Sequence, residues 1–127
     1  MHVVVDDVDT ALSFYRDTLG LTVRNDVGNG AYRWVTLVID VQHEIGIVLS
    51  PPHAGRSEGD GDALAALLAK GALGMVQLRC DDLDPMFDKI ASAAGVEVLS
   101  EPASQPWGVR DAAVRDPAGN MVRIEQA

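Results

Sequence analysis

The chain has 127 residues, 47% of them hydrophobic, with a formal net charge of -9 at pH 7 and one cysteine. That is the length of one domain with enough apolar content for one core; the charge argues against nucleic acid, whose phosphates require a surplus of Lys and Arg. Cys80 stands alone, which excludes an internal disulfide, and at the end of an apolar run it reads as a buried small hydrophobe.

The chain opens with a β-branched run, His2 to Val5, and an Asp6-Asp7 turn. A helix follows, carrying Ala11, Leu12, Tyr15 and Leu19 at helical spacing. Asp7 or Asp9 can cap it, and Gly20 ends it. A second strand starts over Leu21 to Arg24. Two more, Tyr32 to Ile39 and Ile45 to Ser50, form a hairpin with Asp40, Gln42, His43 and Glu44 at the bend. Residues 51–74 read as a linker: Pro51, Pro52, Gly55, Gly59 and Gly61 break regular structure ahead of a helix over Asp62 to Lys70. Its apolar Leu64, Leu67 and Leu68 need cover, over a cleft as a lid or against a second subunit. The rest repeats the first plan. Strand Met75 to Cys80, helix Pro85 to Ala94 and strand Val96 to Leu99 lead to strands Val109 to Val114 and Met121 to Glu125, the last pair joined by an Asp116-Pro117-Ala118-Gly119 turn.

A shift of 75 positions lays Val5-Asp6-Asp7-Val8-Asp9 on Cys80-Asp81-Asp82-Leu83-Asp84 and Gly20-Leu21-Thr22-Val23 on Gly95-Val96-Glu97-Val98 without a gap. Ile39 then meets Val114, Ile47 meets Val122 and Leu49 meets Ile124. The chain is therefore one domain holding two βαβββ modules, residues 1–50 and 75–127, and a site is expected in the cleft between them. The Asp6-Asp7-Asp9 cluster and its copy Asp81-Asp82-Asp84 read as paired helix caps. No apolar run approaches the roughly 20 residues of a membrane-spanning helix, and the first residues lack a signal-like pattern, so a soluble, cytoplasmic protein is expected.

A doubled βαβββ unit with Phe14-Tyr15-Arg16-Asp17-Thr18-Leu19-Gly20-Leu21 and Asp116-Pro117-Ala118-Gly119-Asn120 resembles the vicinal oxygen chelate superfamily, the group of glyoxalase I, extradiol dioxygenases, fosfomycin-resistance enzymes and bleomycin-resistance proteins. The resemblance implies an α+β fold in which two curved sheets close around a cavity with helices outside, and it implies a homodimer. Strand alternation then sorts the faces. Ile47, Leu49, Val122 and Ile124 belong under the helices. The inner face falls to His2, Val4, Gly46, Val48 and Ser50 with Trp34, Thr36 and Val38, and to Met75, Gln77, Arg79, Met121, Arg123 and Glu125 with Trp107, Val109 and Asp111.

Metal-dependent members of that superfamily place His or Glu on the first and last strands of each module. By resemblance those positions are Arg123, Val48 and Met75, and the mate of Met75 falls at position zero, ahead of Met1. Arg is permanently cationic, Val has no donor, and Met sulfur is a poor ligand for the divalent ions concerned. No metal and no other cofactor is expected. A displaced pair, His2 with Glu125, is the remaining metal possibility; His43, in a polar bend, and His53, in the linker, read as non-ligands.

The expected ligand-binding residues are Trp34, Thr36, Val48, Met75, Gln77, Arg79, Trp107, Asp111, Arg123 and Glu125. They combine an apolar wall with a few oriented polar groups, the usual make-up of a small-molecule pocket. If Arg79 and Arg123 lack protein partners the ligand is anionic or carbonyl-bearing. If Asp111 and Glu125 neutralise them, it is planar, neutral or cationic, stacked on Trp34 or Trp107. The leading expectation is a metal-independent small-molecule-binding protein of the bleomycin-resistance type, possible ligands being aromatic or antibiotic. The alternatives are a lyase or isomerase with a non-standard or metal-free site, in which Arg123 stabilises an oxyanion, and an interaction module whose cleft its own side chains fill.

Overall fold

The computed structural model describes residues 1–39 and 46–127. Strand β1 (His2–Val4), helix α1 (Val8–Leu12), β2 (Thr22–Val27), β3 (Trp34–Val38) and β4 (Gly46–Ser50) make the first module. Helix α2 (Glu58–Ala69) follows. Then β5 (Met75–Cys80), α3 (Leu83–Ala91), β6 (Glu97–Ser104), β7 (Arg110–Arg115) and β8 (Met121–Gln126) make the second. The bend that carries His43 lies outside the described residues, together with Asp40, Gln42 and Glu44.

Each module forms one four-stranded sheet, in the orders β1-β4-β3-β2 and β5-β8-β7-β6, with the first strand parallel to the last. The two do not close into a barrel. Alternation acts as expected on the helix-bearing side: Val35, Leu37, Ile47 and Leu49 in the first sheet, and Ala112, Val114, Val122 and Ile124 in the second, are all buried. These residues form one continuous core with Ala11, Leu12, Phe14 and Tyr15 of the first module and Leu83, Phe87 and Ile90 of the second. Pooling two small cores solves the problem of halves that would be marginal alone.

The 75-residue offset holds for the first and last strands of each module. His2 opposite Val48 recurs as Gln77 opposite Arg123, and Val4 opposite Ser50 recurs as Arg79 opposite Glu125. It fails for the third strand, where Thr36 opposite Val48 recurs as Ala113 opposite Arg123, an offset of 77. One of the two extra residues is absorbed by β6, whose ladder to β7 is interrupted twice where that of β2 to β3 is interrupted once, and the other lies in the connection from β6 to β7. Val114 therefore answers to Leu37, and Ile39, matched to it in the sequence, is 70% exposed. Because the slip is even, every β7 side chain stays on its expected face. The partner of Trp34 in the repeat becomes Asp111. Trp107 and Val109 precede β7, and Trp107 is 67% exposed in the turn.

Three helical expectations change. Helix α1 starts under an Asp7 cap, which accepts the Thr10 N–H at 3.1 Å, but beyond Leu12 it widens into π-helical turns over Ser13–Thr18. The Leu19 N–H reaches back five residues to the Phe14 carbonyl, and Phe14 and Tyr15 both turn inward, edge to face at 4.9 Å. Helix α2 begins at Glu58, capped by Ser57, so Gly59 and Gly61 lie inside it and do not break it. At Gly61 the reason is close approach: a Cβ there would stand 2.1 Å from the His53 ring, which itself meets Asp62 at 2.9 Å. Finally, Asp82 makes no capping bond at α3. The Gln126 side chain accepts the Leu83 N–H instead, at 2.8 Å.

The aspartates Asp9 and Asp84 have a shared role that capping did not anticipate. Arg33 meets Asp9 at 2.8 Å, and Arg110, at the equivalent place 77 residues on, meets Asp84 at 2.8 Å. Each pair ties the first turn of a helix to the start of the third strand.

The two recurring motifs meet across the modules. Tyr15 Oη donates to Asp116 Oδ2 at 2.7 Å, and both residues are buried. Asp116 Oδ1 accepts the N–H groups of Ala118, Gly119 and Asn120, while Asn120 Nδ2 donates to Asp116 Oδ2 and, at 2.8 Å, to the Val4 carbonyl at the end of β1. Burial, reinforced by the neighbouring carboxylate, raises the Tyr15 phenol well above its usual value of 10.0. In the unfolded chain it ionises near pH 10, while in the fold it stays neutral. Its contribution is thus intact below about pH 10 and is lost as pH rises beyond that. Melting temperatures recorded from about pH 8 to about pH 11 are expected to fall more steeply for the wild type than for Tyr15→Phe; parallel curves would contradict the assignment.

Candidate functional site

The face of each sheet opposite the shared core carries the residues singled out in the sequence, and the ladders fix their order. On the first sheet Thr36, Val48 and His2 form one row. The next row holds Val4 and Ser50, with Trp34 one step further along the same ladder. On the second sheet Asp111, Glu125 and Arg79 form a row beside Ala113, Arg123 and Gln77, with Arg115, Met121 and Met75 beyond. Nine of the ten expected site residues thus stand on these two faces, and Trp107 stands apart in its turn. The second face is open at its β5 edge in the single chain, where Met75 is 48% exposed and the Arg79 side chain 68%, while Ser50 on the first face is buried. The expectation that the two sheets of one chain enclose the cavity is corrected here, because their helix-bearing sides pool into one core.

The two faces differ in chemistry. The first is largely apolar, with Trp34, Val4, Val48 and Val38 around the hydroxyls of Thr36 and Ser50. The second is charged, and two of its arginines, Arg79 and Arg123, are neutralised within it, while Arg115 donates to the Gly119 carbonyl. Asp111 receives Arg123 Nη2 at 3.0 Å and Nε at 3.1 Å, and its other oxygen receives Gln105 at 2.8 Å. Glu125 receives Arg79 at 2.8 Å and Gln77 at 3.4 Å. Of the two arrangements weighed from the sequence, the second is the one present: Asp111 and Glu125 are paired with Arg123 and Arg79. Both arginines are partnered.

The same contacts bear on a metal ion. Val48 on the first sheet and Arg123 at the equivalent position on the second carry no donor atom suited to a cation, and Met75 offers only a thioether. Glu125, one half of the displaced pair, already serves Arg79 and Gln77. Among the described residues no three His, Cys, Asp or Glu side chains come together as a ligand set. These residues do not fit the metal centre of the superfamily.

A larger concavity lies elsewhere. It has a volume of about 730 Å³ and is lined by Asp6, Asp7, Asp9, Asp26, Arg33 and His53, with glycines of the β2–β3 turn and the Pro51–Pro52 corner. Its charges are mostly committed. Arg33 bridges Asp26, in a two-bond contact, and Asp9, while Asp7 caps α1. The sequence reading missed this hollow because its walls come from three separate segments. The one signal available was the repeated Asp–Arg pair, offset by 75 at the aspartate and by 77 at the arginine.

Two four-stranded sheets of βαβββ topology, with paired inward-type faces, define a glyoxalase-like fold class. The model of the Glyoxalase/Bleomycin resistance protein/Dioxygenase superfamily matches residues 1–124, and the chain belongs to that superfamily. It is 29% identical over 126 residues to the uncharacterized protein YurT of Bacillus subtilis (strain 168), covering 98% of this chain and 94% of that one. Among solved structures it is similar to UcmS2, with a TM-score of 0.82 and 29% identity over 100% of this chain and 95% of that one. It is also similar to TnmS3, an antibiotic binding protein from Streptomyces sp. CB03234, with a TM-score of 0.71 and 26% identity over 99% and 91%. No helix among the described residues is long and apolar enough to cross a membrane.

Proposed function

We propose that this chain is a metal-independent, cytoplasmic small-molecule-binding protein that works as a homodimer. The observation that carries the reading is the Asp111–Arg123 pair, which puts a neutralised guanidinium at the position where the metal enzymes of the superfamily keep a ligand. An arginine engaged through two of its nitrogens is also poorly placed to take up an oxyanion, which favours binding over catalysis. The similarity to an antibiotic binding protein supports the same reading.

The ligand is planar, aromatic and neutral or cationic, held between the apolar wall of Trp34, Thr36 and Val48 and the polar wall of Asp111, Arg123, Glu125, Gln77, Arg79 and Met75. A second copy supplies the missing side of each cleft: the apolar face of one subunit covers the polar face of the other, twice over by symmetry. Exposed Trp107 lies at the rim of that junction as a stacking group or a subunit contact.

Calorimetric titration with uncharged and cationic planar aromatics is expected to give saturable binding, one ligand per cleft, unchanged by EDTA. Sedimentation is expected to show a dimer. Binding that requires an added divalent ion, or turnover of lactoylglutathione by the metal-loaded protein, would refute metal independence.

A further inference from the structure

Among the described residues one buried side-chain polar atom has no hydrogen-bond partner, Ser50 Oγ, on a residue 1% exposed. A native structure rarely leaves a buried hydroxyl unpaired, and a buried donor without a partner is rarer than an under-used acceptor. The backbone around it is conventionally paired, with the Ser50 carbonyl accepting the Val5 N–H at 3.0 Å. Ser50 points to the same side of the sheet as Val48. Val4 flanks it on β1, and the ladder step after Val35 and Leu49 brings Trp34 alongside on β3. In the second sheet the equivalent position is Glu125, which has Arg79 and Gln77 for partners. In the first sheet the counterpart of Arg79 is the apolar Val4, and that of Gln77 is His2, which makes no hydrogen bond to Ser50.

We infer that Ser50 Oγ is a ligand-binding hydroxyl, which donates a hydrogen bond to the carbonyl-type oxygen of a planar aromatic ligand inserted between Val4 and Trp34. This rests on the reading of the cleft given above. Ligand N–H and O–H groups are served by the carboxylates of the opposite wall, so the group that needs Ser50 is an acceptor. Trp34, only partly buried, with its indole edge near Gly55 of the linker, turns aside to admit it.

Equilibrium dialysis of the full chain against fluorene and 9-fluorenone, two tricycles of the same shape of which only the second has a carbonyl, tests this. The wild type is expected to bind the ketone about five- to tenfold tighter, and Ser50→Ala to bind both alike. Ser50→Ala is also expected to melt no lower than wild type, since it removes an unpaired group. Equal binding of the two probes by wild type, or a preference that survives in Ser50→Ala, overturns the assignment and leaves the cleft standing. A Ser50→Ala protein that melts well below wild type overturns it too, by showing that the hydroxyl serves the fold. Failure of the wild type to bind either probe refutes the cleft as well.

Discussion

Asp116→Ala is expected to cost about 4 kcal/mol of folding stability, because it strands several buried donors at once. The lost carboxylate accepts three backbone N–H groups, the Asn120 amide and the Tyr15 hydroxyl. The residue is 2% exposed, so bulk solvent does not reach those donors. Against a total of about 5–15 kcal/mol for a domain, this is a large fraction, and the melting temperature should fall by roughly 15 °C. Tyr15→Phe removes one of the five bonds and leaves the ring, so about 1 kcal/mol is expected. Urea denaturation of the two variants decides the point. A loss below about 1 kcal/mol for Asp116→Ala would mean that the module-to-module network contributes little.

Asp111→Ala is expected to change what the protein binds. Arg123 loses its carboxylate, and the polar wall, balanced by two ion pairs, gains a net positive charge. Stability should fall by about 2 kcal/mol, less than for a fully buried pair because the Arg123 side chain keeps 26% of its exposure and can rehydrate. Affinity for a planar aromatic anion such as 2-naphthoate should rise roughly tenfold, and that for a planar cation should fall. Dialysis with both probes gives the answer. Unchanged charge preference would remove Asp111 and Arg123 from the ligand site.

The sequence was informative where the physics is local or periodic. Alternation in Ile47 to Ser50 and Met121 to Glu125 assigned each side chain to a face, since a strand has no third direction in which to point one. Gly20, with φ of +82°, ended the first helix as expected, while α3 stopped at Ala91 and Gly95, with φ of +78°, lies in the turn that leads into β6. The repeat placed the strands, but its single offset misaligned β3 with β7, laying Trp34 on Val109 where the ladders lay it on Asp111. A bulged ladder is a property of two paired strands, and neither strand records it alone.

The rest depended on segments brought together from far apart. The candidate site of both readings holds the same charged residues, but whether Arg123 is free or paired turns on Asp111, twelve positions away in sequence and beside it on the neighbouring strand. The glycines of α2 looked like breakers because propensity sees only the helix, while the His53 ring against Gly61 comes from outside it. Periodicity and residue chemistry, being read along the chain, were enough for two βαβββ modules and the inner and outer faces of their strands. Partnership between side chains is settled across space. Only the folded chain could therefore decide that Arg79 and Arg123 are neutralised, that the two helix-bearing faces pool into one core with the opposite faces turned away from it, and that Ser50 is buried without a partner.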